Sequence, residues 1–268
     1  MNITMSVSAV ALALALSIGP AQAVPCGGNF ATWLESFKRE AAASGISQRT
    51  ISATLNGVTH DPKVVALDRN QRVFKKSFEE FSSGRIKARI GKAKGLLQRH
   101  ASLLARIEQR FGVPGPVVVA IWGLETDFGA NMGNRQAIRA LATLAHDCRR
   151  TDLFQGELMA ALRIVDSGNL SAASMRGAWA GELGQTQFLP SSYVKFAVDF
   201  DGNGRADLIR SVPDVLASTA NYLKGYGWSP GQPWTEGTGN FEVLRQWNKS
   251  QVYAKTIALF ASRLAGAP

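Results

Sequence analysis

The amino-acid sequence predicts a mainly α-helical protein with little β structure. Apolar residues recur at helical spacing along most of the chain, and few stretches alternate apolar and polar residues with period two. Ser, Asp and Pro residues that favour helix starts precede several of these segments. The chain has 268 residues and a hydrophobic content of 46%, which predicts a globular protein of one large domain or two small ones.

The helices are expected to follow one another with short loops between them. Val113-Pro114-Gly115-Pro116 separates the first helices from a strongly apolar one. Glycines at 84, 91 and 95 are expected to break the helices between 72 and 111. The remaining helices are expected at 30–43, from Ser47, from Asp61, from Asn134 to 145, from Thr151 or Asp152 to about 167, and at 190–197, 211–224, 240–246 and 250–264.

The N-terminus has the pattern of a secretory signal. Residues 5–18 form an apolar run that is too short to span a bilayer, and Ala21-Gln22-Ala23 matches an A-x-A cleavage site. We therefore predict a signal peptide over residues 1–23, cleaved after Ala23, and a periplasmic or secreted protein. No other run is long and apolar enough to be expected to cross a membrane.

The chain carries a formal net charge of +10, and its most basic region is residues 75–99. Such a charge indicates an anionic partner. For an exported protein, we expect acidic wall polymer rather than nucleic acid. The alternative is that this region is only a solvated helix face.

Two cysteines, Cys26 and Cys148, are present. An even count in an oxidising compartment favours one disulfide; the alternative is two free, buried thiols. The three histidines lie far apart and lack zinc-site spacing.

A helix through residues 117–129 places one carboxylic acid, Glu125, on an otherwise apolar face. Apolar neighbours raise the pKa of a carboxyl group, which suits a general acid that works near neutral pH. The alternative is a helix-end glutamate that caps backbone amides or pairs with an arginine. The other residues of that face are Val118, Ile121, Trp122 and Phe128.

A polar and aromatic loop, residues 184–193, interrupts the apolar pattern. The amide of Gln187 and the hydroxyl of Tyr193 suit sugar hydroxyl and acetamido groups. The alternative is a loop that only packs Phe188 and Leu189, with Gln187 bonded to nearby backbone.

With these features in view, the sequence resembles the membrane-bound lytic murein transglycosylase B family from about Phe30 to Leu264. The resemblance implies a mainly α fold with a lysozyme-like catalytic core and additional helices, forming one catalytic domain over residues 24–268. It also implies a lyase that cleaves the β-1,4 bond between N-acetylmuramic acid and N-acetylglucosamine in peptidoglycan and leaves a 1,6-anhydro end. The matching segments are AIWGLETDFG (120–129), Arg149-Arg150 with Phe154, AGELGQTQFLPSSYVKFAVDFDGNGRADL (180–208), SVPDVLASTANYLKGYGW (211–228), and Trp247-Asn248 with Tyr253.

The resemblance makes Glu125 the single catalytic acid and base, with no cofactor for catalysis. This chain has Ala178 where the family often has Ser, and Glu182 where it has a small residue. Glu182 is expected either to alter substrate preference or to pair with an arginine. The residues expected to line the glycan groove are Arg149, Arg150, Gln187, Tyr222, Asn248 and Tyr253, to which the polar loop adds Tyr193.

The residues are consistent with this chemistry. An ordinary glycosidase uses two carboxylates, but Asp127, two residues from Glu125, points elsewhere on a helix. One glutamate suffices if it protonates the leaving oxygen and then, ionised, takes the proton from the sugar's own 6-hydroxyl. The alternatives are a hydrolytic muramidase and a non-catalytic peptidoglycan-binding protein. We expect a monomer whose partner is the glycan strand.

Residues 199–207 match the first nine positions of an EF-hand loop, with Gly204 at the sharp turn. The twelfth position, normally Glu, is Arg210, so Asp214 is expected to supply the missing carboxylate. We predict a structural Ca²⁺ site; the alternative is a metal-free turn. The predicted ligands are Asp199, Asp201, Asn203, Arg205 and Asp214.

Overall fold

The computed structural model describes residues 24–70 and 77–266, and nearly all of its regular structure is helical. The prediction of a mainly α fold is confirmed. The two short strands, β1 (Arg135–Gln136) and β2 (Arg176–Gly177), pair antiparallel. The helices are α1 (Phe30–Ala43), α2 (Gln48–Leu55), α3 (Pro62–Arg69), α4 (Phe78–Lys87), α5 (Ile90–Arg99), α6 (Ala101–Phe111), α7 (Gly115–Thr126), α8 (Ala137–His146), α9 (Thr151–Asp166), α10 (Pro190–Phe196), α11 (Val212–Gly225), α12 (Gly239–Trp247) and α13 (Gln251–Leu264).

The apolar helix α7 lies at the centre of the fold. Its residues are buried except for Pro116 and Glu125, and it packs against α5, α6, α11 and α13. Gly123 allows this packing, since a Cβ there would lie 2.7 Å from the Phe128 ring and 3.3 Å from the Phe260 ring. A strongly apolar helix of the described chain is therefore the one against which these four helices pack.

The sequence-based helix was too long at its C-terminal end. Asp127 and Phe128 have φ values of 56° and 60°, so the chain leaves the helix there and folds back. Phe128 packs edge-to-face on Trp122 at 5.5 Å between ring centroids. It thus contacts the predicted apolar face from outside the helix.

Several helix starts were predicted correctly because N-cap bonds are local. The side chains of Ser47, Asp61 and Ser211 each accept a hydrogen bond from the first turn of the following helix. The helix expected from Asn134 was wrong at its start, since residues 135–136 pair with β2 and α8 begins only at Ala137.

Two other expectations about helix boundaries also need correction. The N-cap of α9 is Arg150, so Thr151 and Asp152 already belong to the helix. The glycines expected to break helices lie inside them: Gly84 is within α4, and glycines 91 and 95 are within α5.

The predicted disulfide between Cys26 and Cys148 is present and ties the start of the described chain to the segment before α9. Two hydrogen bonds between the backbone of Val24 and the side chain of Gln155 reinforce this attachment. The signal-peptide prediction and two lysines of the basic region, Lys75 and Lys76, lie outside the described residues. None of the helices in the described part of the chain is long and apolar enough to cross a membrane.

Candidate active site

Glu125, in the last turn of α7, faces a cavity of about 290 Å³. The cavity lies where α7, the loop before α10, α11 and the end of α12 meet, so its walls come from segments far apart in the sequence. Four of the residues predicted for the site, Glu125, Gln187, Tyr222 and Asn248, line it. The full lining is Glu125, Ala178, Glu182, Gln187, Phe188, Leu189, Ser192, Tyr222, Trp247 and Asn248.

Two donors from different helices hold one oxygen of Glu125. The indole Nε1 of Trp247, at the end of α12, donates to Oε1 at 2.8 Å. The hydroxyl of Tyr253, in α13, donates to the same oxygen at 2.9 Å. Among the described residues, no side chain or backbone amide donates to Oε2, so that oxygen is available to a molecule in the cavity.

The pKa of Glu125 is raised to about 7. Burial is the main cause, and the negative charge of Glu182 adds to it. The hydrogen bonds from Trp247 and Tyr253 and the positive charge of Arg85 act in the opposite direction but are outweighed. A carboxyl group that titrates near neutral pH can both give and take a proton, as a general acid and base must.

The loop before α10 is locked onto α7 through Gln185. Its Oε1 accepts from Trp122 Nε1 at 2.9 Å, and its Nε2 donates to the carbonyl oxygen of Ile209 at 2.9 Å. The hydroxyl of Thr126 donates to its backbone oxygen. Thr126, the residue next to Glu125, therefore ties α7 to the loop that carries Gln187.

Gln187 is held in a strained backbone conformation, with φ of 54°. Its Nε2 donates to the carbonyl oxygens of Met132 and Gly184 at 3.2 and 2.9 Å. These bonds match the alternative in which Gln187 satisfies nearby backbone, but they leave its carbonyl oxygen free to accept from a ligand. Gln187 also lines the cavity, so it both bonds to nearby backbone and is accessible to a ligand.

The remaining predicted groove residues differ in their access to the cavity. Tyr222 donates its hydroxyl to the carbonyl oxygen of Gln246 at 2.8 Å, so it presents mainly its ring. Asn248 accepts from the backbone amide of Ser250 through Oδ1, which leaves its NH₂ group free. Tyr253 does not line the cavity, but its hydroxyl donates to Glu125.

The expectation for Tyr193 needs correction. Its side chain is only 1% exposed, and its hydroxyl donates to the backbone oxygen of Ala206. The residue lies on the inner face of α10, because the period of that helix turns it into the core while Ser192 faces the cavity. Tyr193 therefore bonds to the predicted metal loop, residues 199–207, and does not contact a ligand in the cavity.

Arg149 and Arg150 both pair with Asp68, which is 1% exposed and lies in α3. Neither arginine lines the cavity that contains Glu125. The expectation that Glu182 pairs with an arginine is not met among the described residues, since no basic group lies within ion-pair distance of it. Sequence reasoning missed Asp68, and its only sequence signal is an acidic residue on the inward side of a short helix.

The predicted metal loop brings three carboxylates together: one side-chain oxygen from each of Asp199, Asp201 and Asp214 lies within 4.8 Å of the other two. Gly204, with φ of 88°, makes the turn that this requires. Hard oxygen donors of this kind fit Ca²⁺. Asp207 is not part of the cluster; its Oδ1 accepts from the backbone amides of Ile209 and Arg210.

The other two predicted ligands lie in the same turn. The side-chain oxygen of Asn203 accepts from the backbone amide of Arg205 at 3.1 Å. Asp199 accepts from the backbone amides of residues 202, 203 and 204. This net of amide bonds orders the loop around its acidic centre, as the EF-hand pattern predicts.

Comparison with known proteins gives a consistent result. The family model of the transglycosylase SLT domain matches residues 29–238. Membrane-bound lytic murein transglycosylase B of Escherichia coli (strain K12) is 40% identical over 134 residues, which cover 50% of this chain and 37% of that protein. The match thus spans little more than a third of that relative.

Solved structures show the same fold. SltB3 from Pseudomonas aeruginosa, in complex with NAG-anhNAM-pentapeptide, has a TM-score of 0.84 and 33% identity, covering 90% of this chain and 80% of that chain. The Escherichia coli lytic transglycosylase Slt35, in complex with calcium, has a TM-score of 0.78 and 24% identity, covering 92% and 98%. At that identity, the second likeness shows the fold alone.

Proposed function

This chain belongs to the transglycosylase SLT domain family, and we propose that it is a lytic transglycosylase that cleaves the β-1,4 bond between N-acetylmuramic acid and N-acetylglucosamine in peptidoglycan. One observation carries the proposal: Glu125, with its pKa raised to about 7, faces a cavity and keeps one carboxyl oxygen free. That is the state a general acid needs before it protonates a leaving oxygen.

In the first step, protonated Glu125 gives its proton to the glycosidic oxygen, and the bond from that oxygen to the muramyl anomeric carbon breaks. Trp247 and Tyr253 donate to Oε1 and so stabilise the carboxylate that forms. The substrate's acetamido group steadies the positive charge that develops on the sugar.

In the second step, ionised Glu125 takes the proton from the 6-hydroxyl of the muramyl residue. The 6-oxygen forms its bond to the anomeric carbon, which closes the 1,6-anhydro ring and returns Glu125 to its acid form. Gln187, Tyr222 and Asn248 line the cavity and are proposed to hold the glycan. Arg149 and Arg150 are proposed to contact sugars of the same glycan strand that lie outside this cavity.

Hydrolysis is the alternative reaction, and one observation favours it. Glu182 places a second carboxyl group in the cavity, and hydrolytic glycosidases usually use two carboxyl groups for catalysis. Asp127 is not proposed as this second carboxyl group, since its Oδ1 forms an ion pair with Nε of Arg89 at 3.7 Å.

Mass spectrometry of digested peptidoglycan distinguishes the reactions. Fragments with 1,6-anhydro-muramyl ends are expected. Fragments with hydrated reducing ends would instead identify a muramidase. Absence of cleavage, with retained binding to insoluble peptidoglycan, would identify a glycan-binding protein.

The proposal extends to the setting of the enzyme. We propose one catalytic domain over residues 24–268, exported to the periplasm or secreted, acting as a monomer. Asp199, Asp201, Asn203, Asp214 and the backbone carbonyl of Arg205 are proposed to hold Ca²⁺. Bound there, the ion would neutralise the carboxylates of the loop and stabilise it, with no part in bond cleavage.

A further inference from the structure

Glu182 lies at the end of a tight turn, residues 178–182, on the cavity wall. The backbone amide of Ala178 donates to the carbonyl oxygen of Glu182 at 3.1 Å, and Gly181, with φ of 90°, packs closely on Leu141. The Glu182 side chain bends back so that Oε2 accepts from the amide of Ala180 at 3.1 Å. Its carboxyl group is therefore fixed at the cavity wall.

No basic residue in the described ranges lies within ion-pair distance of this carboxyl group. The nearest candidate, Arg150, is attracted to it but forms its ion pair with Asp68. Among the described residues, no ion pair includes Glu182. Glu157, the other acidic group near it, is occupied by the backbone amide and hydroxyl of Ser191.

The charged groups that act on Glu125 come from several elements. Arg85 of α4 provides a positive charge, and the hydroxyl of Tyr253 in α13 and the indole of Trp247 in α12 provide neutral donors. All three favour the ionised carboxylate. Glu182 opposes them, and it lines the same cavity as Glu125.

We propose that Glu182 is a positioning residue for the reaction: its negative charge, fixed in the same cavity, favours the protonated form of Glu125 in the free enzyme. The inference rests on the proposed function for its catalytic meaning. Physically, two carboxylates that share a poorly solvated cavity resist being ionised together. Burial raises the pKa of Glu182 too, but the hydrogen bond from the Ala180 amide favours its ionised form.

The first test does not depend on activity. Because Trp247 Nε1 donates to Glu125, the NMR shift of its indole N–H reports the ionisation of Glu125. The signal is assigned as the one lost in Trp247→Phe, and its titration should vanish in Glu125→Gln. In Glu182→Gln, which keeps an oxygen for the Ala180 amide, the midpoint is expected to fall by about half a pH unit or more.

Two variants serve as matched controls. Glu108→Gln removes the same charge from the exposed side of α6 and should leave the midpoint unchanged. Glu182→Asp keeps the charge and should retain most of the raised midpoint. A midpoint in Glu182→Gln within about 0.2 units of the wild type, with an unchanged melting temperature, would overturn the proposal.

The second test is the pH profile of kcat/KM on peptidoglycan. The alkaline limb, which reports the acid form of the free enzyme, should move down in Glu182→Gln by the amount that NMR measures. An NMR shift without a matching kinetic shift would show that Glu182 acts on Glu125 but that Glu125 is not the acid. That outcome refutes the catalytic part of the inference and the proposed function together, whereas an unchanged NMR midpoint refutes the inference alone.

Discussion

The hydroxyl of Tyr253 lies 2.9 Å from Oε1 of Glu125 and donates a hydrogen bond to it. The two residues are 128 positions apart, in α13 and α7, which pack against each other in the core. The pKa of Tyr253 is raised well above its usual value, by burial first and by Glu125 second. Tyr253 therefore remains a neutral donor at every pH at which Glu125 titrates.

Tyr253→Phe should raise the pKa of Glu125 further, because it removes a bond that favours the ionised form. The alkaline limb of the kcat/KM profile is expected to move up. We also expect kcat to fall about tenfold or more, since a hydrogen bond to a charged group contributes about 1.5–3 kcal/mol. The control is Tyr222→Phe, whose hydroxyl bonds to Gln246; an equal shift of the limb in that variant would contradict the assignment.

Glu125→Gln keeps the shape of the side chain but cannot cycle a proton. Turnover on peptidoglycan should fall by at least about 10²–10⁴-fold, as is typical for loss of a general acid and base. Binding to insoluble peptidoglycan should be retained, which a pull-down measures. Turnover close to that of the wild type would remove Glu125 from the mechanism.

The same variant should be more stable than the wild type at alkaline pH. A carboxyl group whose pKa rises on folding, from 4.5 to about 7, contributes most to stability below pH 4.5 and loses that contribution as pH rises to about 7. The difference in the free energy of unfolding between Glu125→Gln and the wild type should be more favourable to the variant at pH 8 than at pH 4, by on the order of 2–3 kcal/mol. Urea titrations at both pH values measure this, and a pH-independent difference would argue against a raised pKa.

Removal of the disulfide should lower stability without affecting the acid. Cys26 and Cys148 are 122 residues apart, and the loop that they close gives an expected loss of about 2–4 kcal/mol in the Cys26→Ser, Cys148→Ser double variant. Thermal unfolding compares this variant with the oxidised wild type. Thiol titration of the denatured, unreduced protein should find no free thiol; two would refute the disulfide.

Calcium should stabilise the protein through the loop at residues 199–207. Asp201→Ala is expected to lower the melting temperature and abolish its dependence on calcium, while activity at low temperature largely survives. With Arg210 at the twelfth position, affinity should be that of weak extracellular sites, with a Kd of about 10⁻⁴–10⁻³ M. Asp152→Ala, on the exposed side of α9, is the control. A wild-type melting temperature that is the same in calcium and in chelator would show that the loop binds no stabilising ion.

Local features were readable from the sequence. The caps at Ser47, Asp61 and Ser211 were predicted because a capping side chain and the amides it bonds lie within three residues of each other. The turn at Gly204 was predicted from its motif for the same reason. Where a local signal competed with pairing to a distant segment, as at Asn134, the distant segment prevailed.

The sequence by itself determined the helical class, the position of the Glu125 carboxyl group on an apolar helix and the pairing of the only two cysteines, since composition, periodicity and count suffice for these. Only the tertiary structure decided what surrounds the acid. Trp247 and Tyr253 converge on one oxygen of Glu125, Asp68 pairs with both Arg149 and Arg150, and Tyr193 turns into the core. Each of these contacts joins side chains whose distance is set by how whole helices pack, and helical periodicity places a residue on a face without specifying what that face will meet.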